Sequence, residues 1–237
     1  MSAVSVIALV PEDTLLRSLG RAAWRALPVL AACGTAAAGL AALAFWIGLR
    51  MPGFVPLIAV VLVAPLLAVS IDAVQRHLFE EPTAVHRARR VLVPAIGCAV
   101  PAAFAVGSTV LGVLADSNGS WPLQVLAVAA VGAAVVAALV AVVALPVAAW
   151  RADVSVRSVV VFSLVAVVRR PLGAVAALLA AAAVVWLGLT WFAGVLILVV
   201  PVLAVLMVGA AWPTASASGV RLPALVPVGR PPSGGEQ

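Results

Sequence analysis

Residues Pro171 to Val220 read PLGAVAALLAAAAVVWLGLTWFAGVLILVVPVLAVLMVGAAWPTASASGV, 50 positions without one charged side chain. A bilayer explains such a run. Its hydrocarbon core is about 30 Å thick and takes about 20 residues of helix at 1.5 Å rise each. The stretch is too long for one crossing and suits two, broken between Gly188 and Gly194, where Thr190 and Trp191 fit an interfacial turn. Its apolar residues run continuously and do not alternate, so barrel strands are excluded and helices remain.

The same measure applied outward finds four more spans. Arg25 and Arg50 enclose 24 uncharged residues, and Met51 to Ile71 is a gap of 21. Val91 to Ala115 is one of 25, and Trp121 to Trp150 is one of 30, which must tilt or protrude. The expected fold is an all-α polytopic transmembrane bundle. Its six spans are placed at about 28–49, 52–72, 91–115, 121–150, 171–189 and 192–212. Val154 to Val168 is apolar but short, carries Arg157 and Ser158, and reaches only about 22 Å. It is expected as an interfacial helix at 154–168 rather than a seventh span.

The ends carry no span. Thr14 to Ala26 sets Leu15, Leu16, Leu19, Ala22 and Ala23 on one side and Arg17, Arg21 and Arg25 on the other. Within an N-terminal segment 1–27, that pattern predicts an amphipathic helix on the membrane surface, basic toward lipid phosphates. Val4 to Val10 is too short for a signal-peptide core and follows no basic region, so no cleaved signal is expected. The tail, 213–237, holds Pro223, Pro227, Pro231 and Pro232 without helical pattern and is expected to be disordered.

Composition agrees. Hydrophobic residues make up 65% and charged residues 9%, against about 25% charged in soluble chains. The 14 basic residues are all arginine, and with 8 acids they give +6. On a soluble protein that balance would point to nucleic acid. On six spans, 13 of the 14 arginines fall on one side and Arg50 alone on the other. The positive-inside rule then places both termini in the cytoplasm, leaving no basic cluster for nucleic acid.

Chemistry is sparse. The span centres hold no ionisable residue, which argues against a proton-coupled carrier. The best polar cluster follows span two: Asp72, Gln75, Arg76, His77, Glu80, Glu81 and His86. Asp72 and Arg76, four apart, are expected to pair on one helix face. His77, Glu80 and His86 could share a metal, but there is no HExxH and Pro82 interrupts, so a solvated face is expected instead. Glu80-Glu81 opens an EExxxR pattern of prenyl-endopeptidase type, yet Arg87 lies too far along and no later span contains His. Ser216-Ala217-Ser218-Gly219 imitates the GxSG of rhomboid proteases without a base to activate it. Cys33 and Cys98 stand apart in apolar runs, as packing residues. No enzyme, metal or cofactor is expected.

A second polar cluster, Arg151, Asp153 and Arg157, lies below span four, with Asp153 and Arg157 at pairing distance on a helix. Anchoring to anionic lipid headgroups is the reading favoured for it, and docking of a soluble partner is the alternative.

The layout from about residue 15 to 211 resembles the YesL-like bacterial membrane proteins, a family of unknown activity. Two segments carry the likeness: Ala64-Pro65-Leu66-Leu67-Ala68-Val69-Ser70-Ile71-Asp72-Ala73-Val74-Gln75-Arg76, and Leu145-Pro146-Val147-Ala148-Ala149-Trp150 with the polar Arg151 to Arg157 and the later Arg169-Arg170-Pro171-Leu172. The chain departs from the family in its poverty of Lys and aromatics. The resemblance implies a loose connection with carbohydrate uptake and defines no functional residues. The expected function is a non-enzymatic accessory to carbohydrate uptake, in contact with other transport components. The alternative is a permease subunit of an ATP-driven importer.

Overall fold

Ala, Leu and Val dominate the uncharged runs, and glycines and prolines are only scattered among them, so each run has one stable option in lipid: a helix that satisfies its own backbone. The computed structural model describes residues 12–48, 55–79, 87–150, 155–191 and 193–217. Its helices are α1 (Glu12–Gly48), α2 (Val55–Leu78), α3 (Arg87–Asn118), α4 (Trp121–Trp150), α5 (Val156–Arg169), α6 (Pro171–Thr190) and α7 (Val199–Ala217), with a 3-10 turn at Ala193–Leu198 leading into α7. Among the described residues six helices are long and apolar enough to cross a membrane, and α5 is not one of them. The protein is a multi-pass membrane protein, helical throughout its described elements.

Cross-helix contacts give the direction of each helix. Gln75 Nε2 donates to the Pro146 carbonyl at 3.0 Å, and four residues further along both helices Phe79 and Trp150 meet with ring centroids 5.3 Å apart. α2 and α4 therefore run the same way. A methyl group on Gly209 would stand 3.0 Å from Leu19, and one on Gly34 would collide with the Ile197 carbonyl, so α1 is antiparallel to α7. Gly173 lies against Ala210 and Gly188 against Leu196, which makes α6 antiparallel to α7 as well. The C-terminal ends of α2, α4 and α7 and the N-terminal ends of α1 and α6 thus share one end of the bundle.

Packing is concentrated at that end. In α4, Val142, Val143, Leu145, Pro146, Val147, Ala149 and Trp150 are buried, whereas no residue from 121 to 141 is. Leu19, Ala22, Ile71, Val74, Leu78, Met207, Val208 and Trp212 belong to the same core. The charges lie at the same height. Asp72, three residues before Gln75, is level with Val143, three before Pro146. Leu19 faces Gly209, three residues short of Trp212, so Arg25 stands near the level of Ala141. Gly97 faces Leu145 and Gly173 faces Ala210, which carries helix positions 87–90 and 169–170 to the level of Trp150 or beyond. A layer about 14 Å deep holds the ring trio, the buried part of α4 and these charged groups, while Leu30 and Ala37 carry the core further along α1. The remaining 21 residues of α4, from 121 to 141, measure about 32 Å, the thickness of a hydrocarbon core.

Several boundaries depart from the charge-gap reading. In place of the separate surface helix expected at 14–26, that segment is continuous with the first span. It forms one 37-residue helix running through Pro28, and its Leu19 face packs on α7. Nothing in Thr14 to Leu27 breaks a helix, and its buried face is worth more against α7 than in isolation. α2 continues to Leu78 and α3 begins at Arg87, because a charge marks a polarity boundary and not a helix end. Of the expected tail 213–237, Pro213–Ala217 is helical, with Thr214 and Ala215 buried. Residues 218–237 lie outside the described residues. α6 ends at Thr190, inside the expected Gly188–Gly194 break, but the break is longer than expected: the 3-10 segment runs to Leu198 and α7 begins at Val199 instead of about 192, because an apolar run does not mark where its helix starts.

Candidate functional site

The basic, packed end is where the polar side chains gather. Asp72 and Arg76, one helical turn apart on α2, form an ion pair through Oδ2 and Nη2. The Asp72 side chain is 13% exposed and that of Arg76 40%, so the pair closes the rim of the core rather than sitting in it. On the inner face of the same helix Gln75 is buried and ties α2 to α4 through the Pro146 carbonyl. His77 is exposed. Glu80 and His86 lie outside the described residues, and among the described residues no group of three His, Cys, Asp or Glu side chains converges on a point.

Three rings make the floor of the site. Phe79 stacks on Trp212 at 5.3 Å and 20°, while Trp150 meets both edge-on, at 5.3 Å and 79° and at 5.7 Å and 84°. Such offset and T-shaped contacts add about 0.5–1.5 kcal/mol each beyond the area they bury. Rings this close leave no room for a ligand between them, so the trio is a clamp on three helix ends. The Trp150 indole Nε1 and the Ser163 hydroxyl are buried and have no hydrogen-bond partner among the described residues.

α5 links the ends of α4 and α6. Ser155 caps it, accepting from the Ser158 N–H at 3.3 Å. Val159, Ser163, Ala166 and Val167 are buried, and Val160, Val161, Leu164, Val165 and Val168 face outward between Arg157 and Arg169. Its outer face is therefore apolar with a basic residue at each end, the pattern of a helix held at a lipid boundary. Arg157 is exposed in the first turn. Arg151 and Asp153, expected beside it, lie outside the described residues. Asp72 and Arg76 are brought together as the spacing predicts. Sequence reasoning misses the ring trio and the Gln75–Pro146 bond; the one signal for them is the presence of Trp150 and Trp212 at the borders of apolar runs.

Several hydroxyls in the long helices bond to their own backbones. Ser70 donates to Leu66, Ser108 to Ala105, Thr109 to Val106 and Thr214 to Ala210, at 2.7–2.8 Å. Comparison with known families, with curated proteins and with solved structures finds no match for this chain.

Proposed function

We propose that this is a YesL-like inner-membrane protein of bacteria, with both termini in the cytoplasm, that serves carbohydrate uptake as a non-enzymatic accessory. The observation that carries the reading is the packed basic end: a rigid hub holding Asp72 and Arg76, with exposed Arg157, Arg169 and Arg170 on and beside α5, beneath a bundle in which Ser108 and Thr109 bond within their own helix. Such a construction supports a platform better than a polar route through the bundle. The 13-to-1 division of arginines supports the cytoplasmic side for the hub. The carbohydrate element rests on the resemblance of Ala64–Arg76 and Leu145–Trp150 to that family. The test is a deletion strain grown on a panel of sugars, together with affinity purification of the intact protein. A growth defect on particular sugars and a co-purifying transporter component are expected. Unchanged growth on every sugar with no such component would remove the transport link.

One observation favours a second reading, a permease subunit of an ATP-driven importer. α5 lies between two spans and exposes Val160, Val161 and Leu164, as a docking helix for a soluble ATPase would. Cross-linking from Arg157→Cys separates the two: an ATPase adduct selects the permease, and lipid adducts alone select anchoring.

A further inference from the structure

Between α1 and α7 runs an open, apolar groove of about 430 Å³, bordered by Gly20, Ala23, Trp24 and Ala31 on one side and by Pro201 and Val205 on the other. Small residues shape it: a methyl group on Gly20 would meet nothing within 4 Å. From Gly20 to Ala31 the groove extends about 16 Å, close to half the thickness of a hydrocarbon core, the reach of one leaflet's chains. Its Gly20 end lies in the charged layer and its Ala31 end lies well beyond it. At the charged end, Arg17 stands one turn from Gly20 and Arg21 one turn from Trp24, with Arg17 exposed and Arg21 half-buried. Arg25 continues the basic stripe on the same helix, exposed.

We propose that this groove holds one acyl chain of an anionic phospholipid, whose phosphate is bound by Arg17 and Arg21. A slot lined throughout by apolar residues, with Arg17 and Arg21 on the same helix at its Gly20 end, matches a molecule with an apolar tail and an anionic head. A guanidinium presents paired N–H donors to phosphate oxygens, which a bulk lipid contact does not need. The site is independent of any role in sugar uptake, and either can fail alone.

Full-length protein in phosphatidylcholine vesicles tests it, with a minor fraction of either phosphatidylglycerol or phosphatidylcholine brominated along the chain. The Trp24 contribution to fluorescence is read as the difference between wild type and Trp24→Phe. Brominated phosphatidylglycerol is expected to quench it at lower mole fraction than brominated phosphatidylcholine. Arg17→Gln and Arg21→Gln should each weaken that preference on the order of fivefold. Gly20→Leu with Ala31→Leu, which fills the slot and keeps the arginines, should abolish it. Equal quenching by the two lipids, or an undiminished preference in the filled variant, would overturn the proposal. Should the filled variant not fold, competition on the wild type decides: glycerophosphoglycerol, the headgroup without chains, must fail to relieve quenching, and relief would mean that the arginines bind the headgroup without the groove.

Discussion

Glycine shows how differently one residue type acts along α1. At Gly34 a methyl group would overlap the Ile197 carbonyl and press on Pro201, so Gly34→Ala should lower stability by about 1–3 kcal/mol through overpacking. At Gly20 the space is open, and Gly20→Ala should raise it by about 1 kcal/mol through helix propensity alone. Unfolding in mixed micelles measures both, and equal signs would refute the registry of α1 on α7. Two buried polar groups form a second contrast. Gln75→Leu removes the hydrogen bond that ties α2 to α4 and should cost about 0.5–1.5 kcal/mol. Ser163→Ala removes a buried hydroxyl that has no partner among the described residues and should be neutral or stabilising by up to about 1 kcal/mol. Sequence alone does not separate these cases. By spacing, Gly34 with Ala38, Ala103 with Gly107, Ala129 with Ala133 and Ala137, and Gly173 with Ala177 are packing stripes of equal standing. Gly34, Gly173 and Ala177 do meet neighbours, whereas Gly107 has open space and Ala129 is exposed. In so Ala-rich a chain small residues at helical spacing occur on every face, and only the partner helix selects among them.

Among the elements, α4 is divided. Leu145→Ala in its buried part should cost about 2–5 kcal/mol, and Leu126→Ala in its exposed part no more than about 0.5 kcal/mol. Cysteine scanning with a water-soluble thiol reagent locates the membrane edge on the same helix, and that edge should fall near 142 instead of 150. The 30-residue gap reveals the surplus length but not the end at which it lies, because Val and Ala read alike in lipid and in a protein core. α1 shows the converse. Its arginine stripe at Arg17, Arg21 and Arg25 is a correct reading of helix faces, but amphipathic spacing does not say whether the apolar face meets lipid or α7. Spin labels at positions 16 and 43, 27 residues apart, should report about 40 Å in a continuous helix, and a much shorter distance would mean a bend near Pro28.

For the whole molecule, the number and order of membrane-crossing helices are legible from charge-free gaps because bilayer thickness imposes a length that side chains must respect. Where the core sits is not legible, since it depends on the relative heights of segments far apart in the chain. Reporter fusions after Arg157, Arg170 and Arg221 should all report the cytoplasmic side, and one in the Gly119–Ser120 turn the opposite side. A periplasmic signal after Arg170 would mean that α5 crosses.

The one-ended core also sets a timetable. Leu19 and Trp212 belong to the same core, so synthesis must pass Trp212 before the ring trio can close. Until then Phe79 and Trp150 have only each other, beside the Gln75 bond that joins α2 to α4. A ribosome-arrested chain ending before α7 is therefore an open intermediate, and pulse-chase should find it cleared by membrane quality-control proteases far faster than one ending after Ala217. α7, the last of the described helices to emerge, is the latch for those made before it.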